Sequence, residues 1–123
     1  MIGYVTIGTN DFEKAKKFYD ELLGVMGGKR AFDNDHLQGY AGGGGAMLAV
    51  AMPHDGKPAT VGNGTMLALN AASKEMVEKM HAKALSLGCP DEGAPGPRGD
   101  TGFYGAYFRD LDGNKLCVFH MGG

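Results

Sequence analysis

Cys117 is the nearest thing to a reactive group in this chain. A thiol acts as a nucleophile only with a lowered pKa or a base beside it. His120 stands three residues further on, and on a strand that spacing turns it to the opposite face. A small buried core cysteine is therefore the plainer expectation. Tyr4 can donate its phenol to a ligand carbonyl, or pack with its hydroxyl at the edge of a cavity. Arg98, in a Gly/Pro-rich loop, has the fork that clamps a carboxylate or phosphate, although a solvated loop arginine fits as well. Tyr104 and Tyr107 lie three apart, so one would form a cavity wall and the other outer packing.

The remaining candidates are weaker. His36 and His54 fall in or beside polar turns and read as surface residues, and His81 reads as a half-exposed residue beside the Met80 stripe of a helix. No two histidines have ligand spacing, and no Glu joins them in a zinc motif. The run Gly42 to Gly45 lacks the Lys-Ser/Thr ending of a phosphate loop and leads into a strand, so a flexible hairpin is expected. The methionines at 47, 52, 66, 76, 80 and 121 suggest a soft core or cavity, with core filling the default.

The elements that would position these residues can be read from periodicity. Met1 to Thr9 alternates, with Ile2, Tyr4, Thr6 and Gly8 on one face, which predicts a strand. Asn10 and Glu13 have the spacing of a capping box, and Phe12, Ala15, Tyr19, Leu22 and Leu23 follow at helical spacing until Gly24 supplies a left-handed stop. Three short strands are expected around 29–33, 36–41 and 45–52, then a polar linker over 53–62. The order then repeats. Thr65 to Ala71 is an apolar strand, Ser73 caps a helix with Met76, Val77, Met80, Ala84 and Leu87 on its core face, and Gly88 ends it. Strands follow around 103–109 and 115–120, joined at Asp112-Gly113-Asn114, while 91–102, with two prolines and four glycines, reads as a loop.

The repeated order describes two modules, about 1–52 and 63–123, in one domain. Packed side by side they would form a curved mixed sheet with helices outside and any cavity in its concavity. A ferredoxin-like α+β sandwich fits the periodicity nearly as well. The chain has 123 residues, 43% of them hydrophobic, which suits one compact core. Its net charge of −2 gives no field to attract nucleic acid or an anionic membrane, so a small, roughly neutral partner is the default. No run approaches the roughly 20 apolar residues that span a bilayer, and no export signal is evident. Two cysteines are too few for a disulfide framework, and the chain reads as cytoplasmic.

Three segments carry a resemblance. Gly3 to Asp11 runs into a helix bearing Phe18-Tyr19 and ending Leu22-Leu23-Gly24; Pro95-Gly96-Pro97-Arg98 precedes Phe103-Tyr104; and Arg109-Asp110-Leu111-Asp112-Gly113-Asn114 leads into an apolar strand. In order and spacing the chain resembles the vicinal-oxygen-chelate superfamily of glyoxalase I, bleomycin-resistance proteins and extradiol dioxygenases, and most of all its short glyoxalase-like bacterial members. The resemblance implies an α+β fold of two βαβββ modules, paired in a homodimer. Metal-dependent relatives place one ligand on each of four strands, and the matching positions here are Tyr4, Ala49, Met66 and Cys117. None is a His or a carboxylate. Hard divalent ions need oxygen or imidazole donors, so a divalent metal is disfavoured and no cofactor is expected.

Two functions follow from that resemblance. The first is a small-molecule-binding protein with a degenerate metal site, taking a largely apolar or aromatic ligand, with Tyr4, Met66, Tyr104 and Cys117 lining the pocket and Arg98 at its rim. The second is a lyase or isomerase related to lactoylglutathione lyase, acting on a small carbonyl compound or a thiol adduct. Such chemistry moves a proton between adjacent carbons, and without a metal the developing charge would fall to groups such as Tyr4 and Arg98. A purely structural partner domain has no positive support in the sequence.

Overall fold

The computed structural model describes residues 1–42 and 44–122. Of the glycine run expected to form a flexible hairpin, Gly43 lies outside the described residues. The chain divides into two units, Met1–Val61 and Gly62–Gly123. In the first, β1 (Tyr4–Gly8) leads to α1 (Phe12–Gly24), and then to β2 (Lys29–Asn34), β3 (Leu37–Ala41) and β4 (Met47–Ala51). In the second, β5 (Leu67–Asn70) leads to α2 (Lys74–Ser86), and then to β6 (Asp91–Pro97), β7 (Phe103–Arg109) and β8 (Lys115–Met121). Each unit is thus a βαβββ module with its own four-stranded mixed sheet, ordered β1-β4-β3-β2 in one and β5-β8-β7-β6 in the other. In both, the first strand pairs parallel to the last and the other neighbours are antiparallel.

In the first unit the alternation is paid out against α1. Ile7, Leu48, Val50, Gln38 and Tyr40 are buried, as are Ala15, Phe18, Tyr19, Leu22 and Leu23 of the helix. The Tyr40 hydroxyl lies 2.9 Å from both the Lys16 carbonyl and Asp20 Oδ1, which fixes the helix to the third strand. Arg30 donates through Nε and Nη2 to the two oxygens of Asp20, each at 2.9 Å. That bidentate pair, against some burial, holds the Asp20 carboxyl below its usual range. Burial first, and then the Asp20 carboxylate, push the Tyr40 phenol well up.

Two expectations about α1 are corrected. The N-cap is Asp11, whose side chain accepts from the Lys14 N–H, and not Asn10. Asn10 instead reaches across the chain, accepting from the Ala59 N–H at 2.7 Å and donating to the Ala59 carbonyl at 3.2 Å. The segment expected to be a linker therefore belongs in large part to the first unit. Gly24 is still helical, and the left-handed residue beyond the helix is Gly27, with φ +85°.

In the second unit Ser73 caps α2, accepting from the Met76 N–H, and Gly88 (φ +99°) follows its end, both as expected. The expected loop over 91–102 contains β6. This strand lies at the sheet edge with breaks in its register, where proline and glycine are tolerated because few ladder bonds are required. His81 is not half-exposed: it is buried, with Nε2 3.0 Å from Asp91 Oδ1. Of the methionines only Met80 is fully buried, while Met52, Met66 and Met121 are exposed.

Asp91 accepts from the Gly93 N–H as well as from His81, and these bonds, the backbone one first, hold its carboxyl below the usual range. A depressed folded-state pKa gives stability that is complete above the unfolded value of about 3.9 and is lost as pH falls through the lower, folded one. Asp91→Asn is thus expected to flatten the acid limb of the stability curve below about pH 4. Denaturant midpoints measured at a series of pH values read this directly. An unaltered acid limb would show that the pair adds nothing to folding.

Candidate functional site

Each sheet has one face against its helix and one turned away from it, and the candidate site residues divide between them by strand parity. In the second unit Ala106, Phe108, Leu116 and Val118 are buried on the α2 side. Tyr104 is on that side too, with its hydroxyl donating to Glu78 of α2 at 2.7 Å. That bond raises its pKa. Cys117 has the opposite parity, and its cross-strand partners are Tyr107 and Ala68. The structure therefore brings Tyr107, not Tyr104, onto the face of Cys117. Met66 stands just before β5, exposed, and continues the alternation through Ala68. Arg98 follows β6 and lies over the Tyr107 ring, with Cζ 5.4 Å from its centroid.

Cys117 is fully buried, and burial raises its thiol pKa against the opposing pull of Tyr107, Arg98 and Lys115. It is therefore protonated near neutral pH and not an activated nucleophile. Cys89, also buried, is pushed up to about 12, by burial first and then by Asp110. His120 places Nδ1 3.0 Å from the Ala71 carbonyl.

Sequence reasoning named tyrosines for these faces and missed the phenylalanines Phe32, Phe103 and Phe119. Phe103 and Phe119 stack with centroids 5.2 Å apart and planes 8° apart. Gly105 opens the room for them, since a Cβ there would fall 2.6 Å from Phe103 Cε1. The first unit has the same device on its own sheet. Tyr4 meets Phe32 edge-to-face at 5.3 Å, and a Cβ on Gly39 would fall 2.3 Å from Phe32 Cε1. In both modules, then, a glycine on a central strand is roofed by a ring. The signal was present as Gly39 and Gly105 inside apolar strands, where glycine marks the close approach of another group.

The four positions matched to metal ligands can now be tested as a donor set. Ala49 pairs with Thr6 and Gly39, which puts it on the face of Tyr4, turned from α1. Its methyl offers no donor. Tyr4 and Met66 are exposed, a phenol and a thioether, and Cys117 is held protonated. These residues do not fit a hard divalent cation. Among the described residues, no three His, Cys, Asp or Glu side chains gather so as to hold a metal ion.

The duplicated βαβββ order and the Asp-Gly-Asn turn before the last strand define a class, and comparison with known proteins gives it its name. The chain belongs to the glyoxalase/bleomycin resistance protein/dioxygenase superfamily, whose family pattern matches residues 1–118. Among solved structures, it is similar to a glyoxalase/bleomycin resistance protein from Albidiferax ferrireducens T118. That likeness has 38% identity, a TM-score of 0.88 and coverage of 99% of each chain. It shares the fold of a lactoylglutathione lyase from Agrobacterium tumefaciens, with 22% identity, a TM-score of 0.72 and coverage of 98% and 92%. A family enzyme from Burkholderia phytofirmans PsJN has 18% identity, a TM-score of 0.76 and coverage of 97% of each chain. No curated protein sequence matches. No helix among the described residues is long and apolar enough to cross a membrane.

Proposed function

We propose that this chain binds a small aromatic or largely apolar molecule against the sheet faces turned from its helices, and does so without a hard divalent metal. The observation that carries the reading is the content of those faces: stacked Phe103 and Phe119, Tyr107 over buried Cys117, and Tyr4 against Phe32. Flat rings laid down over glycines offer a flat aromatic surface, which suits a flat ligand. Tyr4 contributes apolar surface to the face of the first unit, and Met66 does the same in the second, where Arg98 stands beside Tyr107. A homodimer in the cytoplasm is part of the proposal. Exposed Ile2, Tyr4, Met66 and Met121 supply apolar surface for a second copy, and two buried free cysteines suit a reducing compartment.

The rival is a glyoxalase-like lyase or isomerase acting on a small carbonyl compound or a thiol adduct. Metal content separates the two. Untagged protein, purified without chelator and resupplied with Ni²⁺, Mn²⁺, Zn²⁺ and Fe²⁺, is expected to retain essentially none. Retention of about one ion per chain, the stoichiometry of a resident site, would overturn the metal-free reading and put the enzyme first.

A further inference from the structure

Two cations stand close to the Tyr107 ring. Arg98 Cζ stands 5.4 Å and Lys115 Nζ 5.6 Å from its centroid. Among the described residues neither cation forms an ion pair with a carboxylate, whereas Arg109, on the same strand as Tyr107, is paired with Glu92 at 3.0 Å. Arg98 is braced rather than loose. Its Nη1 donates to the Gly96 carbonyl at 2.9 Å and its Nη2 to the Ala94 carbonyl at 2.6 Å. Nη1 also reaches the Pro97 carbonyl at 3.4 Å, which among the described residues leaves the Nε–H and one Nη2–H with no acceptor. The field of these charges is felt on the strand beneath, where both Arg98 and Lys115 draw the Cys117 thiol towards ionisation against its burial.

Charge left uncompensated beside an aromatic face is a demand on the ligand. Tyr107 lies two residues along β7 from Gly105, the position roofed by the Phe103–Phe119 stack. Two residues of strand span about 7 Å, close to the reach from the far ring of a two-ring aromatic to an attached carboxylate. We propose that the ligand is a planar aromatic acid. Its ring system lies by Phe103 and Phe119, and its carboxylate is met by Lys115 and the uncommitted N–H groups of Arg98. The inference deepens the binding reading above and rests on it. It also excludes cationic aromatics, which the same two charges repel.

The test is calorimetric titration of the intact chain with 2-naphthoate and indole-3-acetate, each against its neutral amide. The acids are expected to bind about tenfold tighter than the amides, as one well-placed charge-assisted contact provides. That ratio should shrink with added salt and fall towards unity in Lys115→Gln. It should persist in Lys79→Gln, which alters an exposed lysine of α2. Arg98→Lys should lower it too, because an ammonium lacks the planar fork. Equal affinity for acid and amide would overturn the acid inference and leave the aromatic-face reading standing. Binding of neither would overturn both. Should Arg98→Lys fold poorly by circular dichroism, Lys115→Gln alone decides the matter.

Discussion

Replacing Asp110 with alanine is expected to lower the unfolding free energy by about 3 kcal/mol, the largest loss from any single polar side chain here. The residue is 3% exposed, and its carboxylate organises the turn between β7 and β8. Oδ1 accepts from the Asp112 and Asn114 N–H groups, and Oδ2 from Asn114 Nδ2, all at 2.9 Å. Alanine would strand those donors in a site where Asn114 is also buried, and each stranded buried donor costs about 1–3 kcal/mol. For a chain of this size the melting temperature should fall by roughly 10 °C. Asp110→Asn keeps one acceptor oxygen but sets an amide nitrogen against the Asn114 amide, so about half the loss is expected. Thermal and denaturant unfolding of the two variants measure this. Equal, small losses would mean that the turn is held by its backbone alone.

Gly105→Ala is expected to have the opposite profile, with little change in stability and a large one in binding. The added Cβ would lie 2.6 Å from Phe103 Cε1 and 3.3 Å from Cζ, so the ring must move. Phe103 is only half-buried and its ring is the free end of a side chain, so moving it costs about 1 kcal/mol or less. What is lost is the parallel stack with Phe119, and with it the flat surface for an aromatic ligand. Loss of one aromatic contact corresponds to about tenfold in affinity. Equilibrium unfolding and titration with the same aromatic acids separate the two effects. Unchanged affinity would remove the Phe103–Phe119 pair from the ligand face.

What the sequence made legible follows from how local each signal is. The turn at Asp112-Gly113-Asn114 and the Ser73 cap depend on neighbours within four residues and are found where the sequence puts them. The helix stripes hold at Ala15, Tyr19, Leu22, Leu23, Val77, Met80 and Ala84 while omitting buried Phe18 and His81. Asn10 and Asp11 are adjacent and chemically equivalent as caps. The choice between them is made by Ala59, 49 residues away, which claims the Asn10 side chain. β6 was hidden because a strand with prolines at 95 and 97 is tolerable only at an edge, and edge position is a property of the whole sheet. The site was half legible for the same reason. Alternation separates Tyr104 from Tyr107, but only the register against Cys117 and the reach of Tyr104 to Glu78 decide which of them faces away from α2. His81 looked half-exposed because Asp91 lies ten residues on, beyond the turn that brings the two together.

The Asn10–Ala59 clasp has a counterpart in the second unit, where His120 Nδ1 meets the Ala71 carbonyl. Both span 49 residues and both join the region just after a module's first strand to its closing segment. The entropy of closing so long a loop is met by the parallel strand pairing of each sheet, so the polar latch closes little further chain of its own. Each half of the chain is thereby sealed end to end by its own bond. Such halves are suited to folding as separate cooperative units, whose nuclei need no contact from the other half to form. With its own latch, each module can change the contents of its sheet face without opening its own ends.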